Sequence, residues 1–171
     1  MEAVIESQEQ QDPTMERIAK DLGGKYLTVL LAGEEYGLEV LKIREIIGLM
    51  DITKVPQAAD FVQGVINLRG KVIPVIDLRS KFELPRQEYT DETCIIVVDV
   101  GMLMGIIVDT VREVHDIPSK NIEPPPQLGT TIDTSSIMGM GKVNNEVKIL
   151  LDIDKVLTSE ELVGSQLAVQ T

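Results

Sequence analysis

The chain repeats itself, and the repeat limits what it can fold into more than any other feature. Gly37 is answered 68 positions later by Gly105, and Ile43-Arg44-Glu45-Ile46 by Val111-Arg112-Glu113-Val114. The same step carries Pro56 onto Pro124. Further along, Gly70-Lys71-Val72 aligns with Gly141-Lys142-Val143, Asp77-Leu78 with Asp152-Ile153, and Phe82 with Leu157. In this alignment the second hairpin, with Asn144-Asn145, is the longer one. One matching triplet arises by chance, but an ordered series of landmarks does not. The reading is two copies of one five-stranded unit, about 25–83 and 93–157, joined by a polar stretch over 83–92. A unit of roughly 60 residues is marginal by itself, so the copies are expected to pack across a shared apolar seam.

Inside each copy the pattern is short β-branched runs separated by Gly, Pro and Asp. Strands are predicted over 25–32, 35–40, 43–48, 64–69, 71–76, 93–100, 103–109, 111–117, 137–143 and 147–152. Closely spaced strands with turn signals between them mark an all-β barrel or sandwich. Single helical turns are expected over 78–82 and 153–157, each opened by a capping Asp, Asp77 and Asp152. Aromatic residues make up only 3% and Trp is absent, so the core must be aliphatic. Residues 1–24 are acidic and Gln-rich and read as a flexible N-terminal extension. Residues 159–171 read as a C-terminal helix and tail, with Glu160 and Glu161 suited to the positive end of the helix dipole.

Charge and composition remove several function classes. A formal charge of -12 argues against tracking phosphate backbones, and too few aromatics remain for stacking bases. Cys94 and His115 are each the sole residue of their type, too few for a Cys/His zinc site and without a disulfide partner. Cys94 reads as a small buried thiol and His115 as a surface residue. No metal or cofactor is expected. The most apolar window, 95–108, is too short to span a bilayer, and no signal peptide opens the chain. Asp99, Asp109, Glu113 and Asp116 lie on neighbouring predicted strands, where exposed strand faces explain them better than a carboxylate or cation site. Gly139-Met140-Gly141-Lys142 lacks the Ser/Thr and helix of a phosphate loop and reads as a hairpin turn.

Arg69 stands out. Alternation along Val65-Ile66-Asn67-Leu68-Arg69 places Asn67 and Arg69 on one face, and Gly70 supplies the turn. The alignment above puts Met140 at the corresponding place in the second copy, so the fold does not require Arg there. A guanidinium held beside a rigid turn suits recognition of carboxylates or carbonyls on a partner. Arg44-Glu45 and Arg112-Glu113 read as matched pairs on the polar side of alternating strands.

These residues resemble a known family. Glu34-Glu35-Tyr36-Gly37-Leu38-Glu39 with the Val40–Gly48 run, and above all Gly64-Val65-Ile66-Asn67-Leu68-Arg69-Gly70-Lys71-Val72-Ile73-Pro74-Val75-Ile76-Asp77-Leu78-Arg79, are similar to CheW-type chemotaxis coupling proteins. Gly105-Ile106-Ile107-Val108-Asp109 and residues 147–157 match as well, so the resemblance covers about 24–160. It implies an all-β, CheW-like fold of two five-stranded SH3-like barrels, and a non-enzymatic adaptor. The implied partners are the cytoplasmic tip of methyl-accepting chemoreceptors and the SH3-like regulatory domain of the histidine kinase CheA. It implies a cytoplasmic protein recruited to membrane-associated receptor arrays. Nothing like a receiver domain follows, so the resemblance is to stand-alone CheW and not to the CheV fusion. The receptor surface it implies is a groove between the barrels with Ile43, Glu45, Ile46 and Val111, and Arg69 at its rim. The kinase surface is implied only as apolar barrel ends, without residues. Two alternatives stay open: a same-fold adaptor for a kinase cascade with another output, such as pilus motility, and a small-ligand-binding β-barrel.

Overall fold

The computed structural model describes residues 23–126 and 134–157, so the N-terminal extension up to residue 22 and the C-terminal helix lie outside the described residues. The strands are β1 (Gly24–Leu31), β2 (Glu34–Glu39), β3 (Ile43–Gly48), β4 (Val62–Leu68), β5 (Lys71–Asp77), β6 (Cys94–Asp99), β7 (Leu103–Val108), β8 (Thr110–Ile117), β9 (Ile122–Glu123), β10 (Ile137–Val143) and β11 (Glu146–Leu151). All ten predicted strands form, and the two-residue β9 is additional. Helical turns α1 (Leu78–Lys81) and α2 (Ile153–Leu157) stand where their capping aspartates put them. Asp77 accepts a hydrogen bond from the Arg79 N–H at 2.9 Å, and Asp152 accepts one from the Lys155 N–H at 3.3 Å.

The sheets do not follow the two halves of the chain. One sheet runs β3-β6-β7-β5-β4 and the other β8-β1-β2-β11-β10-β9. Each half therefore lends its first hairpin to the other half: β6–β7 inserts between β3 and β5, and β1–β2 between β8 and β11. The expectation that residues 25–83 and 93–157 each build their own sheet is corrected here. The insertions are made by parallel pairs, Gly105 opposite Val75 and Gly37 opposite Leu150. A Cβ on Gly37 would lie 2.6 Å from Leu150 Cδ2 of the other half, and one on Gly105 would lie 3.3 Å from Val75 Cγ2 of the other half as well as 2.8 Å from Ile95 Cγ2 of its own hairpin. The glycine that opens the repeat is thus the close-approach point where the halves interlock.

The hairpin register also corrects the sequence alignment. Gly64 pairs with Val75 and Leu68 with Lys71 in one hairpin; Gly139 pairs with Leu150 and Val143 with Glu146 in the other. A constant step of 75 residues superimposes them through to the capping aspartates, with a bulge at the same place in each. The second hairpin is not longer. Arg69-Gly70 corresponds to Asn144-Asn145, and the residue matching Arg69 is Asn144, not Met140.

Both sheets curl into barrels. Beyond β3 the chain returns to β4, where the Thr53 and Val65 N–H and carbonyl groups exchange two 2.9 Å hydrogen bonds. Beyond β8, β9 pairs with β10. The uninterrupted run Ile95-Ile96-Val97-Val98 is explained by burial on both faces. Ile95 and Val97 join Ile66, Ile73, Val75 and Ile107 inside the five-stranded barrel. Ile96 and Val98 join Leu27, Val29, Leu38, Met104 and Ile106 in the seam between the sheets. Tyr26, Ile117 and Leu150 fill the other barrel.

Candidate partner-binding surface

Arg69 and Gly70 form a two-residue turn with φ of 51° and 87°, the doubly left-handed geometry that favours Asn and Gly. Asn144 and Asn145 make the corresponding turn with φ of 51° and 65°. Asn67 supports the first turn by accepting the Gly70 N–H at 2.9 Å. Arg69 is therefore a turn residue and not, as alternation suggested, the last exposed position of a strand. Its guanidinium donates to Glu45 Oε1 at 2.5 Å while its own side chain stays largely in solvent. The Glu45 carboxyl is held below the usual carboxylate range, first by this hydrogen bond.

Glu45 reaches Arg69 because β3 carries a bulge. Ile43 pairs with Val98 but Glu45 with the adjacent Val97, leaving Arg44 as the extra residue. Arg44 turns instead to Asp99, at 2.9 Å. In β8, Arg112 approaches Glu35 at 3.6 Å and Glu113 approaches His115 at 3.1 Å. The expected Arg-Glu pairs are thus not pairs: each member has its own partner on another residue. His115 is also not the surface residue expected, with only 16% of its side chain exposed.

Among the five residues of the expected receptor surface, Glu45 and Arg69 touch. Ile46, the next residue of β3, is 47% exposed. Ile43 and Val111 hold equivalent places on β3 and β8, and both pack half-buried against the seam core. Sequence reasoning missed two further apolar positions, Val72 and Val147, at the barrel ends. They are 69% and 57% exposed and superimpose under the 75-residue step. Correct hairpin alignment was the signal that would have found them.

The candidate catalytic and cation-binding groups are dispersed. Asp99 binds Arg44, Asp109 binds Arg79, and Glu113 binds His115. Among the described residues no group of three or more His, Cys, Asp or Glu side chains is placed to hold a metal ion. Burial pushes the half-buried Cys94 thiol up, which keeps it protonated and unreactive. No helix among the described residues is long and apolar enough to cross a membrane.

A further polar cluster is structural. The buried Arg79 guanidinium grips Asp109 through Nε at 2.7 Å and Nη2 at 2.6 Å, and donates to the Pro85 carbonyl and Gln87 Oε1 at 2.5 Å. Tyr89 Oη donates to Asp77 at 3.0 Å. Burial alone would raise the Asp109 carboxyl, but the guanidinium and the Ala32 N–H hold it below its ordinary range. The polar stretch between the halves is pinned by these contacts, which accounts for the Asp-Leu-Arg of the first half and the Val-Asp of the second. A cavity of about 300 Å³ lies beside it, lined in part by Asp77, Arg79, Tyr89 and Asp109.

Comparison with known proteins decides the family. The CheW-like domain model matches residues 25–161. The chain belongs to the CheW family. It is 38% identical to chemotaxis protein CheW of Klebsiella aerogenes over 87% of this chain and 91% of that protein. It is likewise 38% identical to chemotaxis protein CheW of Bacillus subtilis, over 81% of this chain and 89% of that protein. Among solved structures it is similar to the scaffolding protein TtCheW of Thermoanaerobacter tengcongensis, with a TM-score of 0.75 and 37% identity over 81% of this chain and 95% of that one. The paired sheets of five and six strands agree with the SH3-like barrels that the CheW resemblance implied. Like its CheW relatives, the chain is a chemotaxis coupling scaffold and not an enzyme.

Proposed function

We propose that this chain couples the cytoplasmic tips of methyl-accepting chemoreceptors to a CheA-type histidine kinase, working in the cytoplasm at membrane-associated receptor arrays. The receptor tip docks on the β3 surface: Ile46 as exposed apolar anchor, Ile43 and Val111 as the apolar floor, and the Glu45–Arg69 pair setting register. The SH3-like regulatory domain of the kinase docks on the barrel ends, where Val72 and Val147 are exposed. Helix-in-groove recognition needs this combination of apolar anchors and fixed polar groups.

One observation carries the receptor assignment. Arg69 occupies a left-handed turn position that the other barrel fills with Asn144. An L-residue with a bulky side chain is disfavoured there, and an exposed ion pair offsets little. An arginine kept against the preference of its own turn points to use outside the fold. The test compares binding of a receptor-tip fragment and of a kinase regulatory-domain fragment to the wild type, Arg69→Glu and Lys142→Glu. Arg69→Glu should lose receptor binding while retaining kinase binding, and Lys142→Glu should retain receptor binding. Equal receptor binding by Arg69→Glu would overturn the assignment.

A further inference from the structure

The two strands assigned above to the receptor surface, β3 and β8, carry a bulge at the same place but hold it differently. In β3 the bulge lies between the pairs Ile43–Val98 and Ile46–Ile96, and Glu45 pairs with Val97. In β8 it lies between Val111–Val29 and Val114–Leu27, where neither Arg112 nor Glu113 has a place in the ladder. The 68-residue step carries Ile43 onto Val111 and Ile46 onto Val114, so Thr28 stands where the other barrel has Val97. Thr28 is fully buried on the face of β1 that points Tyr26 into the six-stranded barrel. Its hydroxyl donates to the Glu113 carbonyl at 2.9 Å and accepts the Glu113 N–H at 3.2 Å. A valine side chain can do neither. One buried hydroxyl thus does for Glu113 what strand pairing does for Glu45.

We propose that the Thr28 hydroxyl is a positioning group for the receptor surface, an inference that rests on the receptor assignment above. Bulges re-aim the side chains around them. This one begins just past Val111, the apolar floor, and ends just before the exposed Val114. β8 is the end strand of its sheet, and among the described residues β1 alone pairs with it. With the hydroxyl in place, the bulge and the Val111 beside it have one setting. Without it, the Glu113 N–H and carbonyl either close onto the β1 main chain, as β3 closes onto Val97, or take up water. Both outcomes shift the main chain from Val111 to Val114. The net worth of such hydrogen bonds is small, so the barrel survives their loss while the surface moves.

The experiment uses the full chain and compares the wild type with Thr28→Val, Thr28→Ser and Arg69→Glu. Because Val97 fills this place in the other barrel, Thr28→Val should fold. Its main-chain amide resonances over residues 111–114 should move, and its affinity for a receptor-tip fragment should fall about fivefold, the worth of one hydrogen bond. Thr28→Ser keeps the hydroxyl and should match the wild type in both respects. Binding of a kinase regulatory-domain fragment should be unchanged in both Thr28 variants. Unmoved resonances in Thr28→Val would overturn the proposal, as would wild-type receptor affinity, or an equal loss in Thr28→Ser. Arg69→Glu tells the two kinds of failure apart. If it alone loses receptor binding, only the role of Thr28 falls; if it too binds like the wild type, the receptor assignment is wrong and the proposal falls with it. If Thr28→Val does not fold, Thr28→Ala against Thr28→Ser makes the same comparison of hydroxyl absent and present.

Discussion

At Arg69 the backbone and the side chain pull in different directions. A φ of 51° suits Asn or Gly, while the guanidinium is aimed at Glu45 beside the exposed Ile46. Arg69→Asn copies the turn residue of the other barrel. Its denaturation midpoint should equal or exceed that of the wild type, while receptor-fragment affinity falls by about tenfold or more. Urea titration and a binding isotherm on the same preparation check both halves of this prediction. Gly64 is the opposite case, a residue whose absence of side chain the fold demands. A Cβ there would lie 2.1 Å from the Thr53 carbonyl oxygen, at a φ of +145°. Gly64→Ala should therefore open the closure of the five-stranded barrel and cost more than about 2 kcal/mol, measurable by chemical denaturation.

Between elements, the two barrels solve one packing problem in two ways. The 75-residue step puts Lys148 where the other barrel has Ile73, and the 68-residue step puts Glu35 where it has Leu103. Ile73 and Leu103 pack together in an apolar interior. Lys148, also buried, instead binds Glu35 and, at 3.2 Å, Glu146. Removing one partner of such a pair strands the other, whereas replacing both with apolar residues is often neutral or better. Lys148→Ile alone should cost about 2 kcal/mol, and Glu35→Leu/Lys148→Ile should fall within about 1 kcal/mol of the wild type. Acid dependence gives a second readout. The hydrogen bond from Lys148 holds the Glu35 carboxyl below its ordinary range. Its contribution is therefore fully present above the unfolded carboxylate value near about 4.3, and is lost as pH falls through the lower folded value. The double variant should show a shallower loss of stability below about pH 5 than the wild type.

For the molecule as a unit, hairpin exchange forbids independent unfolding of the halves. Each inserted hairpin supplies the middle strands of the sheet that the other half completes. A fragment covering residues 1–92 should therefore remain unfolded alone, because β1–β2 would lack both neighbours and β3 would be parted from β4–β5. Mixed with residues 93–171, it should regain native strand content. The intact chain should melt in one transition, with circular dichroism and hydrogen exchange coinciding. Separate transitions for the two barrels would contradict the exchanged topology.

Strand positions, helical turns and their capping aspartates were legible in the sequence because they depend on local chemistry: β-branched alternation, turn residues and side-chain caps. The family was legible too, since Asn-Leu-Arg-Gly and Pro-Val-Ile-Asp-Leu-Arg lie in contiguous stretches. The repeat was visible, but its alignment slipped in the second hairpin, where the Gly70 and Gly141 identities outweighed the turn geometry that equates Arg69 with Asn144. Which half completes which sheet does not follow from strand pattern, because both copies present the same strands and the same close-approach glycine. It follows from the connections, since the single residue between β7 and β8 and the three between β2 and β3 cannot return the chain across an intervening strand. The partners of Arg44, Glu45 and Arg79 could not be read from local pattern, because they are fixed by a bulge and by contacts 24 to 55 residues apart. Local propensity determined what each segment of this protein is, and short connections determined which sheet it joins. Only packing and charge between distant segments decided which side chains meet.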